Sequence, residues 1–361
     1  MRVICSGQSG LNKQGYLEKV IQFCEAKGKK VNLYNIGDLM YGLDKKIPKG
    51  KILNLPYHEL DKLCNLSYEE VLKESTKDSN CIINAHSTFR WCYGLFRAYD
   101  INIAKELKPD MFVTIIDNVY TIKDVLSKRE DKFSKSFTLK DIMVWREEEI
   151  TVSDIYAESC SSPDHLVPHF IVPKNSGPFI VYQLMFERQM KKIYSSFPIS
   201  LVKNKRSIIK EIGNFKSLLK KYFIVFDPLT IDEKRVLDFI KSQIKSSNGG
   251  KIDTLLKSIR KREIEDIKND IDGQIISRDF KLIEQSDFII AYIPVDKEMP
   301  LISSGVEREL EHGFRRGKEI FIICKEFKRL SPFDTRTATE IFPSFEKALT
   351  YFKERGFIIK R

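Results

Sequence analysis

The chemical group that constrains this sequence most is a glutamate, Glu309, that lies between two apolar runs. The run 288–293 predicts a strand, and the glycine-bearing stretch 303–310 predicts the start of a helix that ends near Gly317. The run 320–324 predicts the following strand. In a parallel α/β sheet, ligands bind in the crevice beyond the carboxyl ends of the strands. A glutamate near such a helix start is either a charge that interacts with the helix dipole or a nucleophile.

A nucleophilic carboxylate at this place can attack a sugar carbon, and the family resemblance given below implies that the bond cleaved is N-glycosidic. Cleavage passes through an oxocarbenium-like state, which a carboxylate can trap covalently while a second acid assists departure of the base. Glu309 is the predicted nucleophile, Asp279 is the predicted second acid, and Asp287 is its alternative. The segment from Pro198 to Ser200 predicts a helix entrance whose backbone N–H groups bind a 5′-hydroxyl or a 5′-phosphate.

The residues around Glu309 refine this prediction. Glu307 lies two positions away and cannot share a helical face with it, so we expect Glu307 to face solvent. Gly305 marks the turn before the helix. Arg308, with Arg315 and Arg316 further on, adds positive charge, which indicates a phosphorylated substrate.

A second group of residues, 7–14, has the frame of a phosphate-binding loop. Gly7 and Gly10 let backbone N–H groups face an anion, and Lys13 supplies the charge that binds phosphate. Asn12 stands where the pattern has a glycine, although asparagine tolerates the left-handed conformation. Gln14 stands where the pattern has a serine or threonine that holds magnesium, and an amide is a poor ligand for that ion.

The elements that must position these groups alternate between strands and helices. Apolar runs predict strands over residues 3–5, 31–34, 81–83, 111–116, 169–172, 192–194 and 223–226. Amphipathic patterns predict helices over 17–26, 179–189 and 208–219, with a flexible loop at 246–250 and a charged helix over 251–270. This alternation predicts an α/β fold of two doubly wound, mostly parallel sheets. Because the pattern restarts after a turn-rich segment, we expect two domains, 1–189 and 190–361.

Bulk composition limits the class of protein. The net charge is +11, but the basic residues are dispersed, so we expect no nucleic-acid partner. Apolar stretches are too short to cross a membrane or to act as a signal peptide. Seven scattered cysteines without a CxxC pair indicate a reducing cytoplasm and no zinc site. His165 and His169 are separated by Pro168, which excludes a helical metal site.

The second half resembles the nucleoside 2-deoxyribosyltransferase family over residues 190–361. The resemblance is carried by Tyr194 with Phe197 and Pro198, Asp279 before Asp287, Tyr292 to Pro294, Gly305 before Glu309, and Gly317 with Lys318. It implies that Glu309 attacks the anomeric carbon, that Tyr194 orients that carboxylate and that Asp279 lies near the base. It also implies an oligomer, because the resembled enzymes assemble their sites from neighbouring subunits. No cofactor is implied for this chemistry.

The first 185 or so residues resemble the archaeal-type adenylate kinase family. The resemblance is carried by the loop frame, the Gly37 turn, the triplet from His86 to Thr88 and the lead from Leu107 to Asp110. It implies a nucleotide-binding fold, with ATP and Mg²⁺ as ligands if phosphoryl transfer occurs. Asn84 stands where that family has an aspartate that organises magnesium. Arg129 and Arg146 are the candidates for its lid arginines.

Three functions therefore stay open. The leading one is cleavage or transfer of an N-glycosidic bond of a nucleoside or its 5′-phosphate, with a nucleotide bound by the first domain. The second is a nucleoside monophosphate kinase, and the third is a nucleotide sensor without turnover. For the residues of the first domain, the structural alternatives are a solvated Lys13 and a partly buried His86 without a ligand.

Overall fold

The computed structural model describes the chain except residues 49, 92–93, 130–131, 235, 237–258, 260 and 359–361. The described residues form two compact units, one of Met1–Phe179 with Ile231–Gln274 and one of Ile180–Thr230 with Ile275–Arg361. This division differs from the single boundary expected at residue 189. Ile231–Gln274 belongs to the first unit, where the buried Arg146 forms an ion pair with Glu233 and a hydrogen bond with Gln274. The predicted loop at 246–250 and much of the predicted helix over 251–270 lie outside the described residues.

The strands of the first unit are β1 (Arg2–Ser6), β2 (Asn32–Asn35), β3 (Cys81–Asn84), β4 (Thr88–Trp91), β5 (Gly94–Arg97), β6 (Met111–Ile116) and β7 (His169–Pro173). Those of the second unit are β8 (Lys192–Ser196), β9 (Ile224–Phe226), β10 (Phe288–Tyr292), β11 (Val295–Asp296), β12 (Met299–Pro300), β13 (Glu319–Ile323) and β14 (Glu340–Phe342). Every strand predicted from the apolar runs is confirmed to within two residues at each end.

The described α-helices are numbered along the whole chain. They are α1 (Lys13–Ala26), α2 (Ile36–Leu43), α3 (Tyr57–Ser75), α4 (Ile101–Leu107), α5 (Val119–Ser127), α6 (Lys132–Ser136), α7 (Leu139–Cys160), α8 (Phe179–Phe186), α9 (Ile199–Val202), α10 (Arg206–Tyr222), α11 (Lys261–Asp266), α12 (Lys268–Glu284), α13 (Ser304–Arg315), α14 (Pro332–Thr337) and α15 (Phe345–Glu354). Within the described residues, none is both long and apolar enough to cross a bilayer.

The first unit is built on a five-stranded sheet in the order β2-β3-β1-β6-β7, and all its neighbouring strands are parallel. All six residues of β6 are buried, as expected for a parallel strand covered on both faces. β2 and β3 lie on one side of β1, and the later strands β6 and β7 lie on the other side. The order therefore reverses at β1, whose carboxyl end leads directly into the loop 7–14.

The second unit repeats this plan with a five-stranded parallel sheet in the order β14-β13-β10-β8-β9. Here the strand order reverses between β8 and β10. The two five-stranded parallel sheets, each flanked by helices, confirm the predicted doubly wound α/β class.

Each sheet is stabilised by its own apolar core. In the first unit, Ile4, Ile83 and Phe112 pack with Tyr68 of α3 and Tyr156 of α7. In the second, aromatic rings dominate, including Phe288, Phe321 and Phe352, which are at most 2% exposed. Burying a side chain of this size stabilises a fold by roughly 1.5–3 kcal/mol. The cores thus hold the strand ends, and the loops that follow them, in fixed positions.

Candidate functional site

Glu309 and Ser196 meet where the strand order of the second unit reverses. Ser196 is the last residue of β8, and Glu309 lies on α13, which follows the neighbouring strand β10. The Ser196 hydroxyl donates a hydrogen bond to Glu309 Oε2. The contact forms because parallel strands bring their carboxyl ends to one edge of the sheet, where the segments after them converge.

Close packing of α13 against β10 fixes the direction of Glu309. Ser303 caps the helix by accepting a hydrogen bond from the Val306 N–H. Val306, Leu310 and Gly313 then form the buried stripe of the helix. A Cβ atom on Gly313 would lie 2.3 Å from Ile289 Cδ1, so any larger residue there would force the Ile289 side chain to move. Glu309 borders the stripe and is therefore half-buried.

Glu309 lies in the second turn of α13, further from the helix start than expected. The first-turn acid is Glu307, which is exposed as predicted. The dipole effect of a helix is confined to its first turn. A role for Glu309 as a simple dipole partner is therefore not supported, because its position and contacts lie elsewhere.

Tyr194 lies two residues before Ser196 on β8, so both side chains point to the same face of the sheet. It is fully buried. Burial and the charges of Asp279 and Glu309 raise the pKa of its hydroxyl, which remains protonated. No described residue forms a regular hydrogen bond with the Tyr194 hydroxyl. The hydroxyl is nevertheless close enough to Glu309 to lower the pKa of the Glu309 carboxyl. Tyr194 and Glu309 therefore influence each other electrostatically, and the role of Tyr194 in orienting that carboxylate stays a prediction.

Asp279 is the third predicted member, and it is held by an arginine that the sequence analysis did not single out. Asp279 lies on α12 and is 8% exposed. Its Oδ1 accepts hydrogen bonds from Arg278 Nε at 3.0 Å and from Arg278 Nη2 at 2.9 Å. Arg278 Nη2 also lies 3.4 Å from the Pro228 carbonyl oxygen. Asp279 is therefore paired with Arg278 in the free protein.

Tyr194, Ser196, Arg278, Asp279 and Glu309 form what we call the carboxylate cluster. Burial of Glu309 and the negative charge of Asp279 raise the pKa of Glu309 to about 8, although Ser196, Tyr194 and Arg278 oppose the shift. Glu309 is therefore mainly protonated at neutral pH in the free protein. Two neighbouring carboxyl groups with different environments are the arrangement that acid–base and nucleophilic chemistry on a sugar requires.

Asp287 is not part of this cluster, so its prediction as the alternative acid is wrong. It precedes β10, and its carboxylate accepts a 2.8 Å hydrogen bond from the N–H of Lys192, the first residue of β8. Both positions are at the amino ends of the strands. Since a strand rises about 3.3 Å per residue, Lys192 lies roughly 13 Å from Ser196 along β8. Asp287 therefore stabilises the opposite edge of the sheet.

The remaining residues predicted to contact the substrate differ in their exposure to solvent. Pro198 is buried and Ser200 is exposed, before and within the one-turn helix α9. The N–H groups of Ile199 and Leu201 already donate to the carbonyls of Phe197 and Pro198, so this turn is not the set of free donors that was predicted. Gly305 and Arg308 are exposed on α13.

The first unit contains the predicted phosphate-binding frame at the carboxyl end of β1, here called the lysine loop (residues 7–14). Gly7 has φ of 145°, and a Cβ atom there would lie 2.6 Å from the Ile115 carbonyl oxygen. Asn12 has φ of 51° and ψ of 48°, so it adopts the left-handed conformation that asparagine tolerates. Because α1 begins directly afterwards, its first N–H groups have no partner within the helix.

Lys13 is buried at the first position of α1, and it is not the solvated lysine of the alternative prediction. Its ammonium group is 3.3 Å from the Gly7 carbonyl oxygen and also donates to the Ala85 carbonyl. Burial lowers the pKa of Lys13 to about 8, although the negative charge of Glu149 and, to a smaller extent, Cys5 oppose the shift. Among the described residues, no carboxylate lies within ion-pair distance of this ammonium group.

Glu149 on α7 joins the lysine loop to the segment after β3, and the sequence analysis missed it. Its carboxylate accepts hydrogen bonds from the N–H groups of Gly7 at 3.2 Å, Ser87 at 3.0 Å and Thr88 at 2.6 Å. The Thr88 hydroxyl also donates to it, and His86 Nδ1 lies 3.4 Å away. Burial would raise the pKa of Glu149, but His86, Lys13 and Thr88 outweigh burial and lower it. Glu149 therefore remains a carboxylate.

A cavity of about 580 Å³ opens beside the lysine loop, large enough for a mononucleotide. Its lining includes the predicted residues Gly10, Asn12, Lys13, Gln14, Gly37 and His86. Gly7, the first residue of the loop, is not among the lining residues. Burial and the charge of Lys13 lower the pKa of His86. Three other lining residues contain buried polar atoms without a partner among the described residues, namely Gln8 Oε1, Tyr68 OH and Trp145 Nε1. Each such atom costs about 1–3 kcal/mol unless a ligand or water satisfies it.

The two positions expected to organise magnesium are both amides that bind neighbouring side chains. Gln14 Nε2 donates to Asp38 Oδ2 at 3.3 Å, and Asn84 Nδ2 donates to Asn35 Oδ1 at 2.6 Å. Among the described residues, no group of three or more histidine, cysteine or acidic side chains could hold a metal ion. Gln14 and Asn84 therefore lack the hydroxyl and the carboxylate that hold magnesium in a phosphoryl-transfer site.

The two lid-arginine candidates differ in their surroundings. Arg129 lines the cavity and donates a 2.7 Å hydrogen bond to the Ser9 hydroxyl. Arg146 is 2% exposed and pairs with Glu233, so it is a structural residue.

Comparison with known proteins adds little to this geometry. No family model matches the chain, and no curated protein matches it. Among solved structures, an uncharacterized protein from Eubacterium ventriosum ATCC 27560 aligns at 8% sequence identity, covering 52% of this chain and 99% of that one, with a TM-score of 0.28. A TM-score this low supports no inference about fold or function. Any function assigned to the chain therefore depends on the carboxylate cluster and on the cavity at the lysine loop.

Proposed function

We propose that the second unit cleaves or transfers the N-glycosidic bond of a nucleoside or its 5′-phosphate through Glu309. The observation that carries this proposal is the carboxylate cluster itself. A half-buried carboxyl with a pKa of about 8 contacts Ser196 and lies next to Tyr194 and Asp279, where the strand order reverses. Ligands of open α/β sheets bind at this place, and perturbed acids cluster at functional sites.

In the proposed reaction, Glu309 first loses its proton to solvent. As the C1′–N bond breaks, its electron pair leaves with the base, and positive charge develops on the sugar. A carboxylate oxygen of Glu309 then forms a bond to C1′. Water or a second base later attacks C1′ and releases the carboxylate. The Ser196 and Tyr194 hydroxyls position the carboxylate, and the base takes its proton from solvent, because Asp279 is bound by Arg278.

Release of free base from nucleosides and their 5′-phosphates, followed by chromatography, tests this proposal. Glu309→Gln should lower the rate by about 100-fold or more, the range expected for a group that acts on the reacting atoms. Glu307→Gln is the matched control, since Glu307 is exposed two positions away on the same helix. Equal rates in both variants, or no base release from any substrate, would refute the proposal.

A second candidate function is nucleotide binding by the first unit, and the cavity beside the buried Lys13 favours it. Binding without turnover fits this unit better than kinase activity, because Gln14 and Asn84 are amides engaged with neighbours. Magnesium-dependent ADP formation that disappears in Lys13→Ala would instead establish the kinase. Calorimetric nucleotide binding with no product in either assay would establish a sensor.

We further propose that the protein works in the cytoplasm, where its thiols stay reduced, and that it forms a homo-oligomer. The six described cysteines are free thiols, which suits a reducing compartment. Light scattering of the purified chain at several concentrations would measure the oligomeric state.

A further inference from the structure

The cavity beside the lysine loop is lined by two chemically different groups of residues. Lys13 and the N-terminus of α1 form a cationic group, and the Lys13 ammonium contacts only the carbonyl oxygens of Gly7 and Ala85 among the described residues. Glu149 is the nearby negative charge that favours the ammonium form of Lys13, but among the described residues no carboxylate is within ion-pair distance of it. Burial outweighs Glu149 and lowers the pKa of Lys13 to about 8.

A second group of lining residues is apolar or aromatic. Met40, Leu60, Cys64 and Tyr68 are each at most 7% exposed, and Phe89 also lines the cavity. The Tyr68 hydroxyl is buried without a partner, so the surface combines apolar contact area with a polar group that a ligand can satisfy. A nucleobase has this combination of a flat apolar face and polar edges.

The carboxylate of Glu149 holds the lysine loop in place. Glu149 holds Gly7 and Ser87 by their backbone N–H groups, so the lysine loop and the segment after β3 have fixed positions without ligand. A preformed site binds its ligand with a smaller ordering cost. Neither Gln14 nor Asn84 offers a carboxylate or hydroxyl for a metal.

We propose that this cavity binds one nucleoside 5′-monophosphate without a divalent cation, with its phosphate at Lys13 and the lysine loop and its base against Tyr68 and Phe89. The inference rests on the proposed nucleotide binding of the first unit. It names the ligand class and replaces the metal-bound triphosphate expected from the kinase resemblance. Lys13 supplies a positive charge for the phosphate, and the N–H groups of the loop supply hydrogen-bond donors.

Calorimetric titration of the full chain with adenosine, guanosine, cytidine, uridine and thymidine 5′-monophosphates, in EDTA and in excess Mg²⁺, tests the proposal. At least one monophosphate should bind with a Kd that changes less than about twofold between the two conditions. The matching nucleoside should bind about 10-fold or more weakly, since it lacks the charge-assisted contacts to Lys13. Binding that requires Mg²⁺, equal affinity for the nucleoside, or no binding of any monophosphate would overturn it.

Two variants locate the ligand. Lys13→Met should raise the Kd of the monophosphate by about 10-fold or more. Lys19 is an exposed lysine on the same helix, and Lys19→Met should leave the Kd unchanged. Tyr68→Phe keeps the ring and should weaken binding by about 2- to 10-fold, as for one lost hydrogen bond. If Kd is the same in Lys13→Met and in the unmodified chain, the ligand is elsewhere and the proposal fails.

The same titration separates this inference from the chemistry proposed at Glu309. Glu309→Gln should retain the monophosphate Kd while losing base release. Lost binding in Glu309→Gln would place the nucleotide at the carboxylate cluster and would overturn the inference, even if base release were confirmed. Unchanged binding with no base release from the unmodified chain would refute only the proposed glycosidic chemistry.

Discussion

Two carboxyl groups, the buried Glu149 in the first unit and the half-buried Glu309 in the second, have opposite electrostatic behaviour. Glu149 accepts hydrogen bonds from three backbone N–H groups and from Thr88, and its pKa is lowered. Glu309 accepts a hydrogen bond from Ser196, lies near the negative Asp279, and has a pKa raised to about 8. Burial opposes ionisation of both groups, so donors and neighbouring charges decide the outcome. The comparison separates a carboxylate that holds loops together from a carboxyl that is poised to react.

The largest expected effect comes from removing the first of these groups. Glu149→Ala leaves the N–H groups of Gly7, Ser87 and Thr88 without their acceptor, and should destabilise the first unit by about 3–5 kcal/mol. Urea denaturation measures this change. Glu158→Ala, at an exposed position on the same helix, should change stability by less than about 0.5 kcal/mol. A similar small effect of Glu149→Ala would contradict the role assigned to this network.

The pH dependence of base release tests the second group directly. If Glu309 attacks as a carboxylate, the rate should rise about tenfold per pH unit below its pKa of about 8 and level off above it. A rate that falls as the pH rises through 8 would show instead that Glu309 donates a proton. Such a profile would turn the nucleophile into a general acid and change the order of the chemical steps.

The free energy of unfolding should also depend on pH through Glu309, with a smaller magnitude. Glu309 has a folded pKa of about 8, above its ordinary value of 4.5. Its contribution is therefore present at low pH and is lost as the pH rises from about 4.5 to 8, by on the order of 1–3 kcal/mol. Glu309→Gln should remove this loss, and thermal denaturation across that pH range measures the difference. Parallel pH curves for both proteins would contradict the raised pKa.

Lys13 should give the smallest effect, in a different pH range. Its folded pKa of about 8 lies below the ordinary 10.5, so the unliganded protein gains stability as the pH rises from 8 to 10.5. Lys13→Met should lack this gain, which we expect to be on the order of 1–2 kcal/mol because water reaches part of the cavity. Denaturant titrations at pH 7 and pH 10 measure it. An equal pH response of the two proteins would indicate that Lys13 is not desolvated.

Local patterns predicted most of the positions in these two regions. Apolar runs located the strands, and the spacing of Gly7, Gly10 and Lys13 predicted a loop after β1. Asn12 in that loop adopts the left-handed conformation that an asparagine tolerates. Such features depend on neighbouring residues and on backbone conformation, so they are visible in a sequence. Glu309 was identified in the same way, from a turn and a helix after an apolar run.

The tertiary contacts of these residues could not be predicted from local patterns in the sequence. Glu149 lies in the run Glu147 to Glu149, which looks like a solvated helix face. Its inward direction follows from the buried stripe that it shares with Ile142, Arg146 and Ser153. Two of the stripe's members are charged, so it had no apolar signature. Asp287 was misplaced for a related reason, since its closeness in sequence to Asp279 gave no information on the edge of the sheet that it occupies.

By itself, the sequence determined where the chain turns, which segments become strands and helices, and which residues stand at the strand ends, because these follow from side-chain periodicity and backbone preference. Only the tertiary structure decided which of those residues meet. It joined Ser196, Asp279 and Glu309 from three separate elements and connected Glu149 to two loops. The ionisation of each group depends on burial and on partners distant in the chain, and these are properties of the packed fold.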